Sequence, residues 1–267
     1  MVRGVNMRSP YKKSKAAYIC VWCLVLLLIV FIWLRNKSAF LPSVISTLIA
    51  ILLGFFTSRL SENIISNTET TKRLGYLHME MDPEKFISSY IDIPKKTTGD
   101  KEKMISYAYL SSGYEAAGDF DRALETLEKG NINGSDSLDT LYLSQKCRCL
   151  IEKGILDEAE DVLKELEKRI DSITGNQSLK DNQRQVQYVL SEMLRAKKGE
   201  TIDKEYLEGR LKSTQYRIGR LEIYYTIAMH YRNKENKKKE METLSIIREE
   251  GGNTWFRKWA EERLAEI

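Results

Sequence analysis

Residues 107–127 read YAYLSSGYEAAGDFDRALETL, and residues 143–163 read LSQKCRCLIEKGILDEAEDVL. Each stretch has a glycine near its middle and an alanine five residues later, and Gly118 and Gly154 are 36 residues apart. Apolar residues recur at three- and four-residue spacing on both sides of each glycine, which is typical of two amphipathic helices joined by a tight turn. The repetition predicts an array of helix pairs that pack on one another.

The pattern continues in a weaker form further along the chain. A third unit begins with a helix predicted over residues 186–198, and a fourth has the polar stretch 233–239 where a turn glycine is expected. Residues 254–267 have the spacing of a closing helix. Alternating runs of β-branched residues are lacking, so the sequence predicts an all-α domain over residues 82–267.

The repeated units resemble the tetratricopeptide repeat (TPR) family, in which an aromatic or apolar residue, a small residue and a second aromatic residue precede a Gly-x-apolar-x-x-Ala element. The matching residues are Tyr107, Ser111, Tyr114, Gly118, Phe120 and Ala123 in the first unit and Leu143, Cys147, Leu150, Gly154, Leu156 and Ala159 in the second. This resemblance implies an α-solenoid of paired antiparallel helices, and the family usually binds peptides or protein segments.

In such a solenoid the first helix of each pair lines a concave face. Residues of these helices that the core does not use are therefore expected to face a groove. Helical phase selects six candidates for partner binding: Tyr109, Ser112, Gln145, Arg148, Gln187 and Arg195. The partner predicted by the resemblance is a protein or peptide.

Charge is distributed unevenly along the chain. The net charge is +4, yet residues 1–57 contain seven Lys or Arg and no Asp or Glu, so all 38 acidic residues lie beyond them. The basic balance therefore belongs to the N-terminal segment, and nucleic acid is not predicted as a partner of the distal domain.

Two uncharged apolar runs lie in that segment, at residues 16–34 and 39–57. Their length predicts two transmembrane helices, and the first is longer than the apolar part of a cleaved signal peptide, which is the alternative. The five positive residues before the first run place both termini in the cytoplasm. The sequence thus predicts a multi-pass protein of a bacterial inner membrane. Its basic N-terminus (residues 1–15) would contact membrane lipids, and a linker helix (58–81) would follow the hairpin.

Residues with catalytic chemistry are sparse. His78 and His230 have no identifiable nucleophile partner, and Cys147 and Cys149 point in divergent directions on a helix without further ligands for a tetrahedral metal site. Phosphate-binding and dinucleotide-binding motifs are missing, so no catalytic, cofactor-binding or metal-binding residue is predicted. The lysine-rich run 234–239 is interpreted as a solvated turn, and a contact with an anionic ligand is left open.

These observations together predict a membrane-tethered, non-catalytic scaffold or adaptor that binds its partner through the concave face of the repeats. Two alternatives remain from the sequence. One is a regulatory or sensor subunit of a membrane enzyme complex, and the other is an extracytoplasmic assembly factor with inverted topology. The oligomeric state is not predicted.

Overall fold

The computed structural model describes residues 10–35, 51–52, 68–130 and 135–267, and within the first range it describes side chains for residues 19–31. All regular secondary structure in these ranges is helical. The chain divides into two units, Met1–Arg73 and Leu74–Ile267.

The first unit contains helix α1, Pro10–Arg35. None of the helices in the described ranges is both long and apolar enough to cross a membrane. The second apolar run, residues 39–57, lies outside the described residues except for Ile51 and Leu52.

This finding overturns the transmembrane part of the sequence-based prediction. The two-span hairpin at 16–34 and 39–57 is wrong for the described residues, and so are the multi-pass inner-membrane location and the description of the chain as a membrane protein. Of the predicted linker helix, residues 68–78 are helical, and residues 58–67 lie outside the described ranges.

The second unit is built from α-helices that follow one another closely along the chain. Residues 74–78 are helical and are labelled α2. The helices after it are α3 (Pro83–Tyr90), α4 (Ile93–Lys96), α5 (Asp100–Ala117), α6 (Phe120–Glu128), α7 (Asp136–Lys153), α8 (Leu156–Ser172), α9 (Gln177–Lys197), α10 (Lys204–Ser213), α11 (Arg217–Asn233), α12 (Lys237–Glu250) and α13 (Trp255–Glu266). Consecutive helices pack as pairs, α5 with α6, α7 with α8 and α11 with α12, and α10 packs on α11.

The turns that follow α5, α7 and α9 share one backbone geometry. Gly118, Gly154 and Gly199 all have positive φ, at 83°, 76° and 77°. The N–H of the residue after each glycine donates to the carbonyl of the residue four positions before that glycine. This bond satisfies a carbonyl that the helix end leaves free. In the fourth pair, Glu235 takes this position with φ 53°, and the Asn236 N–H donates to the Tyr231 carbonyl at 2.9 Å. The missing glycine of the sequence pattern is thus replaced by a strained glutamate.

We expect Glu235→Gly to stabilise the domain, because glycine adopts positive φ without the steric penalty that Cβ brings. The gain should be about 0.5–1 kcal/mol in the free energy of unfolding, measured by urea denaturation. Glu235→Ala should show no comparable gain, since alanine keeps the Cβ. Equal free energies of unfolding for the two variants would contradict the interpretation that the backbone at Glu235 is strained.

The residue seven positions before each turn decides how closely the paired helices approach. Ser111 and Cys147 stand there in the first two units, and both are fully buried. The Ser111 hydroxyl donates to the Ala123 carbonyl at 2.8 Å, and the Cys147 thiol donates to the Ala159 carbonyl at 3.5 Å. The same contact therefore recurs 36 residues later between equivalent atoms, which is the structural counterpart of the sequence repeat.

Buried carboxylates occupy two of the small-residue positions in the later units, whereas the buried Ala228 keeps the position seven residues before Glu235. Glu192, 2% exposed, stands seven residues before Gly199 and accepts hydrogen bonds from the Asp203 N–H and the Arg195 guanidinium. Glu240, 1% exposed, takes the alanine position of the fourth unit and pairs with Arg263 of α13 at 2.6 Å. The small-residue pattern therefore fades at these two positions, where a charged side chain is buried and paired with an arginine.

The last helix of the unit returns to the first repeat. Helix α13 contacts α5, and the Trp255 ring packs edge-on against Phe120 with centroids 5.4 Å apart. The Asn253 N–H donates to the carbonyl of Met81 at 2.8 Å. The row of helix pairs is thus closed by contacts between its beginning and its end.

Candidate binding site on the inner face

The first helices of the pairs form one continuous layer. Helix α5 contacts α7, α7 contacts α9, and α9 contacts α11. Charged and polar side chains extend from this layer towards one another: Glu115 from α5, Arg148 and Glu152 from α7, Lys197 from α9, and Glu222 with Tyr225 from α11. We call these six residues the inner polar network.

Arg148 is the centre of one half of this network. Its Nε lies 2.5 Å from Glu222 Oε1, and its Nη2 lies 3.4 Å from Glu222 Oε2. The same Nε lies 3.4 Å from Glu115 Oε1. Burial lowers the pKa of the guanidinium, but the two carboxylates outweigh it and hold the pKa of Arg148 above its usual value. One cation therefore joins α5, α7 and α11.

Glu152 is the centre of the other half. It accepts a hydrogen bond from Lys197 Nζ at 2.8 Å and another from the Tyr225 hydroxyl, also at 2.8 Å. The Tyr225 ring is 2% exposed and packs edge-on against Trp259, with centroids 4.5 Å apart. This half links α7, α9 and α11 to the closing helix α13.

A cavity of about 120 Å³ opens beside Glu115. Apolar and polar residues together line it: Leu77, His78, Ser112, Glu115, Ala116, Arg148, Ile218, Glu222 and Phe256. Helices α2, α5, α7, α11 and α13 each contribute at least one of these residues. An apolar pocket with a few convergent polar groups is the usual form of a binding site.

Two larger depressions lie elsewhere on the unit and are more open to solvent. One, of about 310 Å³, lies between α7 and α8 around Asp139 and Arg169. The other, of about 240 Å³, lies between α10, α11 and α12 around Tyr224 and Tyr231. Neither includes a residue of the inner polar network.

The carboxyl group of Glu115 has few interactions that would stabilise its negative charge. Among the described residues it accepts no hydrogen bond, and its ion pair with Arg148 is long because the Arg148 guanidinium is bonded to Glu222. Burial raises the pKa of Glu115 to about 7 against the opposing effect of Arg148, and the charges of Glu222 and Glu152 raise it further. Glu115 therefore exchanges a proton near neutral pH.

This raised pKa predicts a pH-dependent stability. Below about pH 4.5 the group is protonated in both states. As the pH rises from there to about 7, the unfolded state releases the proton while the buried carboxyl of the folded state keeps it, so the free energy of unfolding falls. Compared with Glu115→Gln, the wild type should lose roughly 1–3 kcal/mol of unfolding free energy between pH 5 and pH 8. Urea denaturation at both pH values measures the difference. Glu125→Gln, at an exposed position of α6, should show no such change.

Three of the six predicted groove residues come together next to this network. Gln145, 4% exposed, donates from Nε2 to the Ala108 carbonyl at 3.1 Å and to the Ser112 hydroxyl, and Arg148 lies one turn further along α7. Ser112 and Arg148 both line the cavity. Gln145 thus joins α5 to α7, and Arg148 joins α7 to α11.

The other three lie apart from the cavity. Tyr109 is half-buried, and its ring packs edge-on against Tyr90 with centroids 6.3 Å apart. Gln187 is half-buried on α9. Arg195 pairs with Glu192 and Glu200 at 3.0 and 3.7 Å, near the end of the same helix.

Sequence reasoning did not single out Glu115, Glu152, Lys197 or Glu222. The available signal was the presence of ionisable residues within otherwise apolar first helices. That signal does not reveal which residue each of them pairs with, because Arg148 and Glu222 are 74 positions apart in the chain.

The histidines and cysteines lie in separate surroundings. Burial lowers the pKa of His78 and of His230, so both favour the neutral form. Burial raises the pKa of the Cys147 thiol to about 12 and also raises that of Cys149. Within the described part of the chain, no group of three or more His, Cys, Asp or Glu side chains could hold a metal ion.

The lysine-rich run contains the strained turn of the fourth pair. Lys234 to Lys239 are exposed, and the Asn236 side chain caps α12 by accepting from the Lys239 N–H at 3.2 Å. The Lys239 ammonium lies 5.6 Å from the centre of the Tyr231 ring.

Comparison with known proteins adds no assignment: no family model, no curated protein and no solved structure matches this chain.

Proposed function

We propose that residues 74–267 form a TPR-like binding module, without catalysis of its own, that holds a protein or peptide partner on its inner face. The observation that carries this proposal is the cavity beside Glu115, where five helices converge around charged groups that do not belong to an apolar core. Ser112 and Arg148, two residues selected by the repeat phase, line this cavity.

The chemistry of the wall supports a side chain of a partner as the occupant. Leu77, Ile218 and Phe256 offer apolar surface, which favours burial of an apolar portion. Glu115, Arg148 and Glu222 offer charges that fix the orientation of a polar group. The cavity is smaller than the roughly 300–1,000 Å³ of most small-molecule sites, so it suits one anchoring side chain of a longer partner.

Selection of peptides from a random displayed library on the immobilised full-length chain tests the proposal. We expect enriched sequences whose affinity falls at least tenfold on Ile218→Trp, since the larger ring fills the cavity. The matched control is Ile155→Trp, because Ile155 is 40% exposed at the turn between α7 and α8 and does not line the cavity. Thermal melts establish that both variants are folded, and His78→Trp replaces Ile218→Trp if that variant unfolds.

Two results would contradict the proposed function. One is the failure of the wild type to enrich any sequence. The other is equal binding of the selected peptides to the wild type and to the folded cavity-filling variant, which would place binding on another surface.

A further inference from the structure

The inner polar network contains more negative than positive groups. Three carboxylates, Glu115, Glu152 and Glu222, face two cations, Arg148 and Lys197. Glu152 is paired with Lys197, and Glu222 is paired with Arg148 at the shortest distance in that half of the network. Glu115 is the carboxylate without a cation of its own, and it lines the cavity.

A second acceptor lines the same cavity from a different helix. His78 Nδ1 is buried and makes no hydrogen bond to any residue in the described ranges. Burial favours the neutral imidazole, whose unprotonated ring nitrogen accepts a hydrogen bond. The His78 ring lies beside the Tyr216 ring, with ring centroids 5.5 Å apart. Glu222, whose two oxygens accept from Arg148, also lines this cavity.

A primary ammonium group matches these features. It carries one positive charge and three N–H donors and has no acceptor. The apolar wall formed by Leu77, Ile218 and Phe256 suits the methylene stem that such a group carries in a lysine side chain. A volume of about 120 Å³ accommodates one such side chain but not a peptide segment.

We propose that this cavity is a receptor for a single alkylammonium group, the lysine side chain of the partner, seated against Glu115 and His78. This inference rests on the proposed function and names the residue of the partner that anchors it. The bound ammonium supplies the positive charge that the network lacks.

The proton on Glu115 competes with this cation. The groups that interact electrostatically with Glu115 are Arg148, Cys149 and Glu152 from α7 and Glu222 from α11, and His78 from α2 lines the same cavity. Because burial raises the pKa of Glu115 to about 7, the carboxylate is mostly protonated at pH 6 and mostly ionised at pH 8. An alkylammonium stays charged over this range, so binding should be about tenfold weaker at pH 6 than at pH 8.

Titration of the full-length chain with n-butylammonium chloride, followed by calorimetry and by the shift in melting temperature at pH 8, tests the inference. We expect saturable binding that 1-butanol and ammonium chloride at equal concentrations do not reproduce. Glu115→Gln should weaken binding at least tenfold, and Glu125→Gln should leave it unchanged. Ile218→Trp, which fills the cavity, should also abolish binding and serves as the second variant if Glu115→Gln is not folded.

The outcomes separate this inference from the proposed function. If the chain selects peptides through the cavity but n-butylammonium does not bind, or binds equally to Glu115→Gln, the lysine receptor is wrong and the binding module stands. If n-butylammonium binds as expected but no peptide is enriched, the cavity is a cation site and the proposed protein partner is wrong. Enriched peptides without lysine would also overturn the inference.

Discussion

Replacing Arg148 by methionine should lower the free energy of unfolding by about 3–5 kcal/mol at pH 7. The substitution keeps much of the apolar volume of the side chain and removes the cation between Glu115 and Glu222. Both carboxylates then remain largely buried without a counter-charge, and the penalty for an unpaired buried charge is much larger than the gain from the pair itself. The loss should be smaller at pH 5, where Glu115 is protonated.

Arg184→Met is the matched control. Arg184 is 39% exposed and pairs with Glu167 and Asp171, whose carboxylates are more than half exposed. Exposed ion pairs contribute roughly 0–1 kcal/mol, so this variant should melt close to the wild type. Urea denaturation of both variants gives the comparison, and similar small losses in the two would show that the inner polar network does not hold the first helices together.

Gly252→Ala should cost about 2–4 kcal/mol, because two separate penalties act at this position. The glycine has φ 55°, a conformation that alanine adopts only with strain. An added Cβ would also lie 2.8 Å from the Met81 carbonyl oxygen, closer than real Cβ contacts allow. Met81 is itself fully buried with φ 54°, so the two backbone segments have little freedom to move apart.

Gly154→Ala separates the two penalties. Gly154 has φ 76°, and a Cβ there would meet no atom within 4 Å. This variant should lose only the conformational part, about 1 kcal/mol. A larger loss for Gly252→Ala in thermal or urea unfolding measures the contact with Met81. Equal losses would mean that this contact contributes nothing to stability.

The repeat pattern predicted those parts of the fold that depend on local backbone geometry. Gly118 and Gly154 stand where a helix end needs positive φ, and the alanines five residues later pack where the paired helices meet. The pattern failed where another residue takes the same role, as Glu235 does at the fourth turn. It also failed where a small residue is replaced by a buried ion pair, as at Glu240 with Arg263. An ion pair depends on a residue from another helix, which periodicity does not report.

The candidate site was predictable only in part for the same reason. Helical phase identifies that Ser112 and Arg148 leave the apolar stripe of their own helices. It does not identify Glu222, since that residue meets Arg148 only after α11 has packed beside α7. The membrane prediction relied on the length of two apolar runs and on the positive charges around them, and it was not upheld in the described residues.

The contact between Met81 and the segment at Gly252 and Asn253 changes how the domain should come apart. A linear array of repeats frays from its ends, because each terminal unit has only one neighbour, and partly unfolded species accumulate. Here the terminal helix has neighbours on both sides, so no unit is free to detach first. Loss of α13 would expose Phe120 of α6 and Tyr225 of α11 together. The domain should therefore unfold in a single cooperative transition, and a protease that needs a frayed end should find none until the whole unit opens.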